Sequence, residues 1–116
     1  MENETRRTGR GIQCLAKDGH VCLSLGEKTI DDTLNTLRIH HEKEGPYPEG
    51  HFRADFVVKD VFIEYFGLSG DTTYDERTTL KQEICKKHGI QLISIYAEDL
   101  ASLKKLKSKL LDGLCL

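Results

Sequence analysis

The sequence predicts an α/β fold, a mixed β-sheet flanked by helices in the order α-β-β-β-α-β-α. Three observations predict it. Two apolar runs, residues 52–58 and 61–67, are separated only by Lys59-Asp60 and read as a hairpin. A further apolar run, IQLISIY at 90–96, follows a helical segment, so it returns to the sheet parallel to a strand already present. Amphipathic helical patterns stand before, between and after these strands.

Each element follows from local chemistry. Residues 1–13 read as a flexible N-terminal arm ahead of a single domain over 14–116. Ser24-x-x-Glu27 has the form of a capping box. Ile30, Leu34 and Leu37 fall at i, i+4 and i+7, the apolar stripe of a helix ending near Arg38. IHHEKE, 39–44, reads as a short strand. GPYPEG, 45–50, is a loop because it holds both prolines and two glycines. In the first hairpin strand Phe52, Ala54, Phe56 and Val58 share a face. In the second, Val61, Ile63 and Tyr65 share one face and Phe62, Glu64 and Phe66 the other, so this strand is covered on both sides. LSGDTT, 68–73, is a loop. A helix then runs from about Tyr74 to His88, with Leu80 and Ile84 inward and Gly89 at C′. The last helix, roughly 99–111, presents Leu100, Leu103, Leu106 and Leu110 on one side and lysines on the other.

At 116 residues, 38% hydrophobic and 31% charged, the chain has the composition of a globular domain that builds a core without disulfides. No apolar run reaches the roughly 18 residues of a membrane span. MENETRRTGRG lacks the apolar segment of a signal peptide. These points predict an intracellular (cytoplasmic) protein with no membrane partner. Its four cysteines contain no CxxC pair and read as free thiols. Cys14, His20 and Cys22 offer three zinc-type ligands, but the spacing C-x5-H-x-C matches no common site and lacks a fourth ligand. A net charge of −2 argues against binding nucleic acid by bulk electrostatics alone. It leaves room for a local basic face or for a divalent cation that offsets some acids. Arg6, Arg7 and Arg10, and Lys104, Lys105, Lys107 and Lys109, form basic clusters that also suit a solvated surface.

Asp55 and Glu64 stand out because they interrupt apolar strands. Counting back from the turn pairs Val57 with Phe62, Phe56 with Ile63 and Asp55 with Glu64. Carboxylates in that register have Cβ atoms about 4.5–5.5 Å apart, a destabilising pair among apolar neighbours. A divalent ion reverses the sign, because Mg²⁺ or Mn²⁺ seeks hard oxygen ligands on one or two carboxylates. The other reading is a slipped register or bulge that leaves both acids as ordinary edge residues. Glu27 is either a helix cap or a third acid, or both. Tyr74, Arg77 and Lys81 fall along one flank of their helix, where Lys81 either faces solvent or reaches over the sheet edge.

RADF, IEYFG and YDERTTLKQEICKKHGIQLISIYAEDL, preceded by DGHVCLSLGEKTIDDTL, together resemble the PD-(D/E)XK, restriction-endonuclease-like nucleases. In particular they look like the branch of helicase-associated and very-short-patch-repair-like endonuclease domains. The resemblance spans residues 18–111 and rests on the order and spacing of loose pieces. It implies a restriction-endonuclease-like sheet and Mg²⁺-dependent (or Mn²⁺-dependent) hydrolysis of DNA phosphodiesters. Asp55, Glu64 and Glu27 would be metal ligands and, with Lys81, catalytic residues. Arg53, Tyr74 and Arg77 would contact DNA. The family's usual strand lysine would stand at Phe66, and the branch's helix lysine falls on Lys81. The proline that commonly precedes the aspartate is Ala54. The implied partners are DNA and either a second copy, as in a junction-resolvase-like homodimer, or a recruiting DNA-processing protein. A catalytically inactive DNA-binding or assembly module, and a metal-free protein with structural acids, remain the competing classes.

Overall fold

The structure is a computed structural model that describes residues 14–19, 21–22, 24–67 and 72–116. The expected arm over 1–13, residues 68–71 of the expected loop, His20, and the side chains of Cys14 and Tyr74 lie outside the described residues. Chain contacts divide the protein into two units, one running to Ile39 and one spanning His40–Leu116.

In the first unit, β1 (Cys14–Leu15) and β2 (Val21–Cys22) form a short antiparallel hairpin that the sequence pattern did not announce. Helix α1 (Leu25–Thr36) begins at Ser24, whose hydroxyl accepts the Glu27 N–H at 3.1 Å. Ile30 and Leu34 are buried as their spacing requires. Asp32 fastens the hairpin turn to the helix by accepting the Lys17 N–H at 2.7 Å. The helix ends with Arg38 at φ 59°, with N–H bonds from Arg38 to the Asn35 carbonyl and from Ile39 to the Leu34 carbonyl. These are the two bonds of a Schellman motif, made here without glycine.

The second unit is a four-stranded mixed sheet with helices, so the α/β class and the expected element order hold. Strands β3 (Glu42–Pro46), β4 (Arg53–Val58), β5 (Val61–Gly67) and β6 (Gln91–Tyr96) lie in sequence order. The first three pair antiparallel, and β6 runs parallel to β5 after the crossover helix α2 (Thr72–His88). Pro46 is tolerated because β3 is an edge strand. Ile84 and Cys85 of α2 pack with Phe62, and Leu92 joins them. On the opposite face a Cβ on Gly113 would meet Ile93, which pairs with Ile63; this places α3 (Leu103–Gly113) there. The two helices therefore cover both faces of the sheet.

Three details differ from the sequence pattern. Leu80 is 46% exposed, because the inward line of α2 is Thr78, Lys81, Ile84 and Cys85. The expected last helix is broken: a 3-10 turn (Ala97–Ala101) precedes α3, and extended Ser102 separates them. Leu103 consequently falls off the stripe and is exposed, while Leu106 and Leu110 are buried. Third, Phe52 and Ala54 do not share a face with Phe56. They pack with Val57, Phe62 and Ile84, whereas Phe56 pairs with Ile63. Strand alternation breaks at Asp55. There the pairing of β3 with β4 passes from Lys43↔Phe56 to Gly45↔Ala54, skipping Glu44, whose φ is 58°.

Asp99 joins the 3-10 turn to α3. Its Oδ2 accepts the Tyr96 N–H and the Lys109 ammonium, both at 2.8 Å, and Lys105 lies 3.7 Å from Oδ1. Burial pushes its carboxyl up, but the bonds from Lys109 and Tyr96 and the charge of Lys105 outweigh it and hold it below the usual aspartate value. A lowered folded-state value means stability present above the unfolded pKa of about 3.9 and lost as pH falls through the folded one. Asp99→Asn is therefore expected to be clearly less stable than wild type at pH 7, with the gap closing below about pH 4 in urea titrations. A pH-independent gap would contradict this. The face switch has its own test. A Cβ at Gly45 would run into the Val57 side chain, so Gly45→Ala should cost about 1–3 kcal/mol of unfolding free energy; a neutral substitution would show that Gly45 does not face Val57.

Candidate functional site

The backbone pairs of β4 with β5 are Val58↔Val61, Val57↔Phe62 and Phe56↔Ile63, the register counted from the turn. The next step would set Asp55 against Glu64. There each acid takes a backbone amide from the other's neighbourhood. Glu64 Oε1 accepts the Asp55 N–H at 3.3 Å, and Asp55 Oδ2 accepts the Tyr65 N–H at 2.8 Å. The carboxylates stand at the point where the regular pairing stops.

Glu64 is 1% exposed, and a carboxylate so placed requires compensation. It receives a cation. Lys81 Nζ lies 2.8 Å from Oε2, and the Tyr47 hydroxyl donates to the same oxygen at 2.6 Å. Three donors thus meet Glu64, one of them charged, which resolves the like-charge problem posed by Asp55. The Lys81 side chain is 14% exposed. It also donates to the Arg53 carbonyl at 3.4 Å, and its ammonium lies 5.5 Å from the Tyr47 ring centre and 5.7 Å from that of Phe52.

Tyr47 comes from the proline-bracketed loop and was not singled out by the sequence. Its ring packs edge-on against Phe62, centroids 4.9 Å apart, and against Phe52 at 6.1 Å. Burial, and then the Glu64 charge, push its hydroxyl far above the usual tyrosine range, so it remains the donor. Burial likewise pushes the nearby Cys85 thiol up, which keeps it neutral. The only sequence signal for Tyr47 is an aromatic ring set between Pro46 and Pro48, where no amphipathic pattern calls for one.

The structure sets the Lys81 ammonium and the Asp55 backbone N–H on the Glu64 carboxylate, while the Asp55 carboxylate takes the Tyr65 N–H. Arg53 is exposed, with its guanidinium on the Glu44 carbonyl at 3.1 Å, and Arg77 is exposed one turn before Lys81 on α2. Glu27 lies in the first turn of α1, in the first unit. Phe66 is buried, its ring 5.8 Å from that of Tyr96, so this position serves the core. The donor set fits a hard divalent cation in kind: two carboxylates on adjacent strands, of which Asp55 is half-buried. Within this unit no further His, Cys, Asp or Glu among the described residues stands close enough to join them as a third ligand. Asp55 and Glu64 would hold the ion, and Lys81 already holds one oxygen of that pair.

Removing one member of a buried ion pair leaves an uncompensated charge, so Lys81→Met should lower unfolding free energy by about 3–5 kcal/mol in metal-free buffer. Tyr47→Phe keeps the ring and deletes one bond to a charged group, an expected loss of about 1.5–3 kcal/mol. Urea unfolding measures both; equal and negligible losses would show that Glu64 does not depend on these donors.

Comparison of the chain with protein-family models, with curated proteins and with solved structures gives no match.

Proposed function

We propose that the protein is a metal-dependent DNA endonuclease of the restriction-endonuclease-like kind. The observation that carries this reading is the contact of Lys81 Nζ with Glu64 Oε2 at 2.8 Å, beside Asp55. A helix lysine reaches the strand acid Glu64, in keeping with the resemblance once Phe66 occupies the usual lysine position.

In this reading Asp55 and Glu64 would hold Mg²⁺ or Mn²⁺. The bound ion supplies a Lewis acid for the phosphate and a water of lowered pKa. Lys81 orients the attacking water or meets the charge that builds on the phosphate. Arg53, Arg77 and Tyr74 are the proposed contacts to the DNA backbone, by charge and hydrogen bonding rather than base reading. No helix among the described residues is long and apolar enough to cross a membrane. The reading takes the protein to act inside the cell, as a homodimer or recruited by a DNA-processing partner. A second reading, an inactive nuclease fold that binds DNA or assembles with a partner, is favoured by one observation: both oxygens of Glu64 already carry donors.

Incubation with supercoiled, single-stranded and branched DNA in Mg²⁺ or Mn²⁺ separates the two. Wild type is expected to cleave at least one substrate, and Asp55→Ala and Lys81→Ala to lose about 10²–10³-fold in rate. No cleavage by folded wild type, with no metal-dependent stabilisation over Asp55→Ala, overturns the nuclease reading.

A further inference from the structure

Glu64 already has a cation. The Lys81 ammonium sits on Oε2 together with the Tyr47 hydroxyl, and Asp55 contributes its N–H to Oε1. The pair Glu64–Lys81 is neutral as it stands. A divalent ion held by Asp55 and Glu64 would bring two more positive charges against the same carboxylate. Two cations a few ångströms apart repel, and burial of the pair weakens solvent screening of that repulsion.

We infer that Lys81 is the built-in competitor of the metal: its ammonium holds Glu64 in the metal-free protein and gives it up when a divalent ion binds. The inference rests on the proposed metal site, and it adds a regulation of that site. The ammonium has other contacts to retain. The Arg53 carbonyl is 3.4 Å away, and the Tyr47 and Phe52 rings lie 5.5 and 5.7 Å from Nζ. These are electron-rich surfaces that keep a cation at the mouth of the site once its carboxylate is gone. Released in this way, Lys81 becomes available to a substrate phosphate only when the ion is present. Without the ion, the neutral pair keeps Glu64 buried.

The test uses Mn²⁺ alone with the full chain. Amine-reactive labelling read by mass spectrometry should find Lys81 protected in metal-free wild type and labelled several-fold faster at saturating Mn²⁺. Lys59, exposed at the hairpin turn, serves as the unchanged reference. In calorimetric titrations Lys81→Met should bind Mn²⁺ more tightly than wild type, on the order of tenfold or more, because a neighbouring positive charge is removed. Asp55→Ala should bind far more weakly than either. Unchanged Lys81 labelling at saturation overturns the exchange whatever the affinities, while Asp55-dependent Mn²⁺ binding would leave the metal site standing. Absence of any Asp55-dependent binding overturns both. If Lys81→Met does not fold, labelling of wild type decides alone.

Discussion

The ion pair between Lys81 and Glu64 is the constraint around which the second unit is arranged. A carboxylate at 1% exposure sits beside the apolar cluster that holds Phe62, and only a cation and good donors make that position tenable. The rotation of α2 follows from it. With Lys81 turned to the sheet, Thr78, Ile84 and Cys85 fall on the same side and Leu80 is carried out to solvent. The path of the loop between β3 and β4 follows as well, because Tyr47 must place its hydroxyl on Oε2 and its ring on Phe62.

Such a pair is a poor choice if stability alone is at stake. Apolar residues of similar volume commonly stabilise a buried site as well as an ion pair or better. A sheet face that could have been filled with leucine and phenylalanine instead carries Glu64, Lys81 and a phenol, with half-buried Asp55 beside them. That arrangement supports the proposed role in holding a metal and a phosphate, since function is the common reason for tolerating this cost. Both acids lie on strands of one sheet, and Lys81 lies in the middle of a 17-residue helix.

Much of this was legible in the residues. The two-residue turn set the hairpin register as far as Phe56 against Ile63, one step short of Asp55 and Glu64. The crossover through α2 made β6 parallel to β5. Lys81 was legible only as one member of a helical flank, because its direction depends on which face of α2 meets the sheet. The hydrophobic pattern pointed to Leu80, and electrostatics decided for its neighbour. Tyr47 was hidden by its loop, where proline and glycine reveal a turn but not its destination. The face switch at Asp55 was hidden too, since nothing in Glu44 marks it as a residue that adopts a positive φ. The break at Ser102 split a helix that periodicity alone would have drawn as continuous.

A double-mutant cycle between Glu64→Gln and Lys81→Met, read by urea unfolding in metal-free buffer, tests the central claim most directly. If Lys81 is the cation on which Glu64 depends, the two substitutions together cost less than the sum of each alone, with a coupling of about 1–3 kcal/mol. Strictly additive losses would contradict the account, because the carboxylate and the ammonium would then be stabilising the fold independently.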